Sequence, residues 1–309
     1  MLTRRAAVSL LAGCLSLAVS SLPVAAQSAG RLKVVATFSI LGDMVRNVGG
    51  ERVEVTTLVG PNGDAHVYSP TPADGRRLTE ARIVFTNGLK FEGWIDRLVK
   101  SSGTKAVKIE AARGVKPLES GEEGHGNGHG HHHGGADPHA WQSIGNAKLY
   151  VANIRDALIA ADEAGKATYE ANAASYLGQL DGLEAEVKGL VAKIPPERRR
   201  IITSHDAFRY FEDAYGIDFV APQGVSTESE ASARDVARII QQIRREAIAA
   251  VFVENVSDAR LMERIAKETG ARIGAKVYSD ALSEPNGPAG TYIDMMRHNI
   301  RAFSAALSS

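Results

Sequence analysis

The chain has 309 residues, 44% of them hydrophobic and 23% charged, which is ordinary globular composition and excludes a disordered or membrane-embedded chain. Lysine plus arginine equals aspartate plus glutamate at 36 each, so charge gives no reason to expect nucleic acid or an anionic membrane surface as partner. The single cysteine is Cys14, so the remainder of the chain offers no disulfide, thiolate ligand or cysteine nucleophile.

Residues 1–26 read as a secretory signal. Arg4 and Arg5 form a basic start, an apolar run follows, and Val24-Ala25-Ala26 ends it with small residues, placing cleavage after Ala26. Thr3-Arg4-Arg5 resembles a twin-arginine signal as well as an ordinary one. Leu11-Ala12-Gly13-Cys14 resembles a lipoprotein box, but the apolar run continues past Cys14, which favours a soluble periplasmic protein over an anchored one. Removal of this segment leaves 34 bases against 36 acids. No later stretch approaches the roughly 18 apolar residues of a membrane span.

Short β-branched runs then alternate with amphipathic stretches. Strands are predicted at 32–38, 53–59, 82–86 and 106–109, and again at 201–203, 218–221, 249–253 and 275–278. Helical patterns include 39–48, 72–80 and 231–246. The alternation predicts an α/β protein of two βα lobes, each with a mostly parallel four-stranded sheet. Between the halves, Tyr169, Ala173, Tyr176, Leu180, Leu183, Val187, Leu190 and Ile194 recur at spacings of three and four. That stripe predicts one helix over 166–194, stopped by Pro195-Pro196 and roughly 40 Å long. The expected organisation is an N-terminal lobe over 27–165, a linking helix over 166–194 and a C-terminal lobe over 195–309.

Segment 121–135 fits neither pattern. It has no apolar residue, and its glycines are costly to order, so a mobile loop is expected. It holds His125, His129, His131, His132 and His133, a composition associated with weak secondary metal binding. Its typical reach of roughly 20 Å suits a collector that passes metal to a nearby site.

Three other histidines stand alone. His66 follows a strand in Gly63-Asp64-Ala65-His66-Val67-Tyr68-Ser69-Pro70, His139 lies in Asp137-Pro138-His139-Ala140-Trp141, and His205 lies just past the run Ile201-Ile202-Thr203. Asp280 lies just past 275–278. Ligands in open α/β sheets gather beyond the carboxyl ends of strands, so two facing lobes would bring all four side chains into one cleft. Three imidazoles and a carboxylate suit tetrahedral zinc, although nickel, cobalt and copper(II) also accept imidazole-rich sites. His298, in a C-terminal helical stretch, reads as a capping or surface residue. Binding requires neutral histidines, so affinity is expected to fall as pH drops through roughly 6.5.

The His66 and Asp137–Trp141 segments, Thr203-Ser204-His205-Asp206-Ala207-Phe208, Gly224-Val225-Ser226-Thr227-Glu228-Ser229-Glu230, Tyr278-Ser279-Asp280-Ala281-Leu282 and Gly287-Pro288-Ala289-Gly290-Thr291-Tyr292 occur in this order. Together they resemble the zinc- and manganese-binding receptors of bacterial ABC importers, over essentially the whole exported chain. The resemblance implies two lobes joined by a rigid helix with one transported ion between them, held by His66, His139, His205 and Asp280. It implies a monomer that delivers its ion to the membrane permease of an ABC importer, with a periplasmic zinc chaperone as a further candidate partner. Manganese members usually carry glutamate at the third position, so His205 points to a zinc-type receptor, with manganese the alternative. Some zinc members have an acid before the first histidine; Ala65 stands there, which leaves the fourth position to Asp280. Glu228, Glu230 and Glu254 are expected to be solvated or hydrogen-bonded.

Two other classes compete. An exported zinc-dependent hydrolase would need an open metal position and a general base, and neither a His-Glu-x-x-His motif nor a partnered serine is present. A metal-buffering or adhesion protein without a transporter is the second. Four protein ligands suit holding a metal better than hydrolysis with it.

Overall fold

The computed structural model describes residues 30–119 and 135–308. The expected signal segment with Cys14, and the five histidines of segment 121–135, lie outside the described residues.

β1 (Leu32–Phe38) is buried on both faces over Val34–Phe38, as its unbroken apolar run requires of a central parallel strand. It feeds α1 (Ser39–Gly49), and the chain returns as β2 (Val53–Val59). α2 (Pro72–Glu80) starts at a proline in its first turn, and Asp74 reaches back to the Thr71 N–H, 2.7 Å away. β3 (Ile83–Thr86), α3 (Ile95–Ser102) and β4 (Val107–Glu110) complete a parallel sheet in the order β2-β1-β3-β4.

Past segment 121–135 come α4 (Ile144–Ala161), capped by the Ser143 hydroxyl, and α5 (Lys166–Val191). The second lobe contains β5 (Arg200–Ile202), α6 (Arg209–Tyr215), β6 (Asp218–Val220), α7 (Ala233–Glu246), β7 (Ala250–Val251), α8 (Ala259–Thr269), β8 (Arg272–Ile273) and α9 (Tyr292–Leu307). Its parallel sheet runs β6-β5-β7-β8. Two α/β lobes, each with a four-stranded parallel sheet, are thus joined through the long helix α5. Among the described residues no helix is long and apolar enough to cross a membrane.

The eighth strand corrects the expected 275–278: it is Arg272–Ile273. The ladder begins earlier and is interrupted. Arg272 N–H donates to Ala249 O, Gly274 N–H to Val251 O, and Val277 N–H to Val253 O. Three residues thus pass two of the neighbouring strand, as in a bulge. Gly274 permits the close approach, since a Cβ there would stand 2.3 Å from the Phe252 ring. Val277 still bridges Glu254 in parallel, so the chain reaches the sheet's carboxyl edge and delivers Asp280 there.

α5 buries Tyr169, Ala173, Tyr176, Leu180, Leu183, Val187 and Val191 against α1 and α4 on one side and α6 and α9 on the other. One core consequently runs through both lobes: Val35, Leu41, Trp141, Leu183, Phe252 and Phe303 belong to the same buried cluster. A smaller cluster, including Ile202, Val251, Ile239 and Met262, packs α7 and α8 on the other face of the second sheet. A continuous apolar interface restrains the lobes far more than the polar contact of two loosely tethered domains.

Candidate metal centre

The carboxyl ends of both sheets point at each other. His66 comes from the loop after β2 and His139 from the turn leading into Ala140–Gln142, a short 3-10 segment. His205 follows β5, and Asp280 follows the interrupted β8 edge. All four are buried, and one donor atom from each lies within 4.8 Å of the other three. His66 Nε2 is 3.2 Å from His139 Nε2 and 3.2 Å from Asp280 Oδ2. His205 Nε2 is 3.1 Å from Asp280 Oδ2, and His139 Nε2 is 3.5 Å from Asp280 Oδ1. Four donors at 2.0–2.1 Å from one ion would stand about 3.3 Å apart along tetrahedral edges, so these spacings fit a single cation. Among the described residues, neither Asp280 oxygen nor His205 Nε2 has a hydrogen-bond partner. Buried polar atoms are ordinarily satisfied, and a shared cation would satisfy all three.

Carboxylates stand behind two of the rings. Asp137 Oδ1 is 2.8 Å from His139 Nδ1 and also accepts the His139 N–H. Glu254 Oε2 is 2.5 Å from His205 Nδ1, while Oε1 accepts the His205 N–H. Each contact fixes the ring with Nε2 facing the centre and strengthens that nitrogen as a ligand. Trp141 Nε1 and Gln142 Nε2 both donate to Ser279 O, at 2.9 and 2.8 Å, which pins the residue before Asp280. Phe91 presents its ring to both His66 and His139, walling the site with apolar surface.

Charge inside this enclosure is tightly coupled. Burial disfavours protonated His139, but Asp280 and Asp137 outweigh it and push the ring up to about 9. His205 is likewise opposed by burial and driven well above the usual imidazole range by Glu254 and Asp280. Burial would raise Asp280, yet His205 and His139 hold it well below the usual carboxylate range. Such a centre exchanges protons for a cation.

The four residues singled out in the sequence therefore meet. Glu228 and Glu230 are exposed, whereas Glu254 is fully buried behind His205. His298 lies elsewhere, with Nε2 2.8 Å from Lys276 O. Asp137 and Phe91 were not separated from their neighbours by any sequence signal beyond position: Asp137 precedes a ligand by two residues, and Glu254 follows a strand as the ligands do.

The family model described as "ZnuA: Zinc-uptake complex component A periplasmic" matches residues 34–306. The chain belongs to this family of periplasmic metal-binding receptors of ABC importers. It is 36% identical over 278 residues to the manganese-binding lipoprotein MntA of Halalkalibacterium halodurans, covering 90% of this chain and 89% of that protein. It is 32% identical over 287 residues to the manganese ABC transporter substrate-binding lipoprotein PsaA of Streptococcus pneumoniae, covering 91% and 90%. The periplasmic zinc-binding protein TroA of Treponema pallidum superposes with a TM-score of 0.83 at 28% identity, over 91% of this chain and all of that one. Receptors of this family act outside the cytoplasm with a membrane importer, and the relatives fix the bound species only as a divalent metal.

Proposed function

We propose that this receptor captures Zn2+ with His66, His139, His205 and Asp280 and delivers it to the permease of an ABC importer. The observation that carries the reading is the donor set: three imidazole nitrogens and one carboxylate within 4.8 Å of one another, four of their separations being 3.1–3.5 Å, with two of the rings backed by carboxylates. That set matches a closed four-coordinate zinc site. Holding the ion in a buried, fully liganded enclosure keeps it from water and from competing chelators until the lobes are engaged by the importer.

Manganese is the second reading, and one feature favours it beyond the names of the relatives. Both Asp280 oxygens face the cluster, Oδ2 toward His66 and His205 and Oδ1 toward His139. A bidentate Asp280 would raise the coordination number, which suits a harder ion. X-ray absorption on separately zinc- and manganese-loaded protein tests the choice. The zinc reading expects four light donors near 2.0–2.1 Å with zinc, and a five- or six-donor shell in the zinc-loaded form would overturn it.

Segment 121–135, with His125, His129, His131, His132 and His133, is proposed as a weak collector feeding this site. Cleavage after Ala26 to give a soluble, monomeric periplasmic protein is proposed likewise. Several relatives are named lipoproteins, so fatty-acid labelling of the expressed protein is the direct check. Label that disappears with Cys14→Ser would replace the soluble form with an anchored one.

A further inference from the structure

The four ligands are not held alike. His139 and His205 are locked by Asp137 and Glu254, and the backbone before Asp280 by Trp141 and Gln142. His66 sits on a loop without a strand or helix of its own, and it alone of the four has residual exposure, 7% against none for the others. Its neighbour Val67 is 49% exposed. His66 is therefore the one of the four that lies nearest the protein surface.

Two groups hold the His66 loop: Trp94, whose Nε1–H donates to Ala65 O at 2.8 Å within the first lobe, and Asp64, which divides its carboxylate between the lobes. Oδ1 accepts the His66 N–H at 2.9 Å, and Oδ2 accepts the Thr227 hydroxyl of the second lobe at 2.6 Å. The loop carrying Thr227 is itself built onto the His205 segment. Gln223 pairs with His205, the Asp206 N–H donates to Gly224 O, and the Gln223 amide donates to the carbonyls of Thr227 and Ser229. A continuous set of contacts thus runs from His205 through Gln223, Thr227 and Asp64 to His66. Nearby, the Asn62 N–H donates to Leu282 O and the Asn255 amide to Asn62 Oδ1, so the root of the loop stays anchored when its tip moves.

We propose that the Asp64–Thr227 hydrogen bond is a latch between the lobes that holds His66 on the bound ion and sets the rate at which the ion leaves. The proposal rests on the reading that the ion is bound by these four residues. Thr227 is a positioning residue: it acts on His66 through Asp64 and makes no contact with the ion. A partner that draws Thr227 away from Asp64 would loosen His66 while His139, His205 and Asp280 keep their own supports, releasing the ion without separating the lobe cores.

Zn2+-loaded full-length protein mixed with excess EDTA reports the release rate through a coloured zinc indicator. Thr227→Val keeps the shape and removes the donor. A hydrogen bond to a charged acceptor is worth enough to raise release about tenfold or more, with the X-ray absorption shell and the metal stoichiometry the same as in wild type. Thr227→Ser restores the donor and is expected to release at the wild-type rate. Release by Thr227→Val within about twofold of wild type would overturn the latch, as would equal acceleration by Thr227→Ser. Wild-type protein that retains no Zn2+ would instead overturn the function on which the latch rests, so the two failures are distinguishable. Asp64→Asn, which keeps an oxygen acceptor but loses its charge, is expected to fall between wild type and Thr227→Val; release no faster than wild type would count against the latch.

Discussion

A histidine can take a metal ion only after giving up its proton, and the buried carboxylates here make that exchange costly. His139 is pushed up to about 9 and His205 well above its usual range. The sign follows: as pH falls below about 9, protons increasingly occupy the rings of the metal-free protein and compete with the ion, so apparent affinity drops. The residue types alone place that onset near 6.5; Asp280, Asp137 and Glu254 move it upward. Calorimetry in buffers of different ionisation enthalpy is expected to show proton release on binding at pH 7.5, and affinity falling steadily toward pH 5.5. A flat profile over that range would contradict a three-histidine site. Glu254→Gln is expected to weaken binding at the main site about 10- to 100-fold while the wild-type stoichiometry is kept, as read by chelator competition; unchanged affinity would remove Glu254 from its supporting role. The candidate ligands were legible because each histidine stands alone and His66, His205 and Asp280 lie past predicted strands, with His139 in the Asp137–Trp141 motif. The work of Glu254 and Asp137 was not, because it depends on which side of an imidazole they touch, and that is decided by tertiary packing.

At the scale of elements, periodicity carried well where an element packs along its whole length. β1 and β2 begin and end where their apolar runs do, and α5 shows the expected stripe, with Val191 buried in place of Leu190 at its last turn. The second sheet was less legible because its edge strand is held by two residues and a bulge around Gly274. Since α5 packs on both lobes, Leu183→Ala is expected to cost about 2–5 kcal/mol and to lower a single calorimetric transition; two separate transitions would show that the lobes melt independently. The ends of β1 and β3 carry another prediction. Glu92 is fully buried there, accepting the Thr37 hydroxyl at 2.5 Å and the Asn87 N–H at 2.7 Å. Burial wins over these bonds and pushes its carboxyl up from 4.5 to about 7. The folded protein therefore holds this proton more tightly than the unfolded chain, and the associated stability, present below pH 4.5, is lost as pH rises through about 7. Glu92→Gln removes that dependence. Its stability relative to wild type is expected to improve between pH 5 and 8 by on the order of 3 kcal/mol, measured by denaturant unfolding of the metal-free forms; a pH-independent difference would contradict it.

Across the whole molecule, the continuous core limits what binding can move. Two lobes sharing one apolar interface through α5, α9 and Trp141 do not swing as hinged domains do, so release has to come from loops at the mouth of the site. Small-angle scattering is expected to give nearly the same radius of gyration with and without metal, and a large contraction on loading would show hinge closure. Removing residues 121–135 is expected to slow loading at limiting zinc and leave the affinity of the main site unchanged; unchanged loading and uptake would end the collector proposal. The lobes and their helix were visible in the alternation of strands and helices, but their shared core was not, since sequence shows which residues are apolar and not which elements they join. The ion delivered is best tested in the cell, because a nitrogen-rich site generally binds zinc more tightly than manganese whatever its cargo. A strain lacking this gene, grown in chelated medium, is expected to recover with added zinc and not with added manganese; recovery with manganese alone would contradict the assignment.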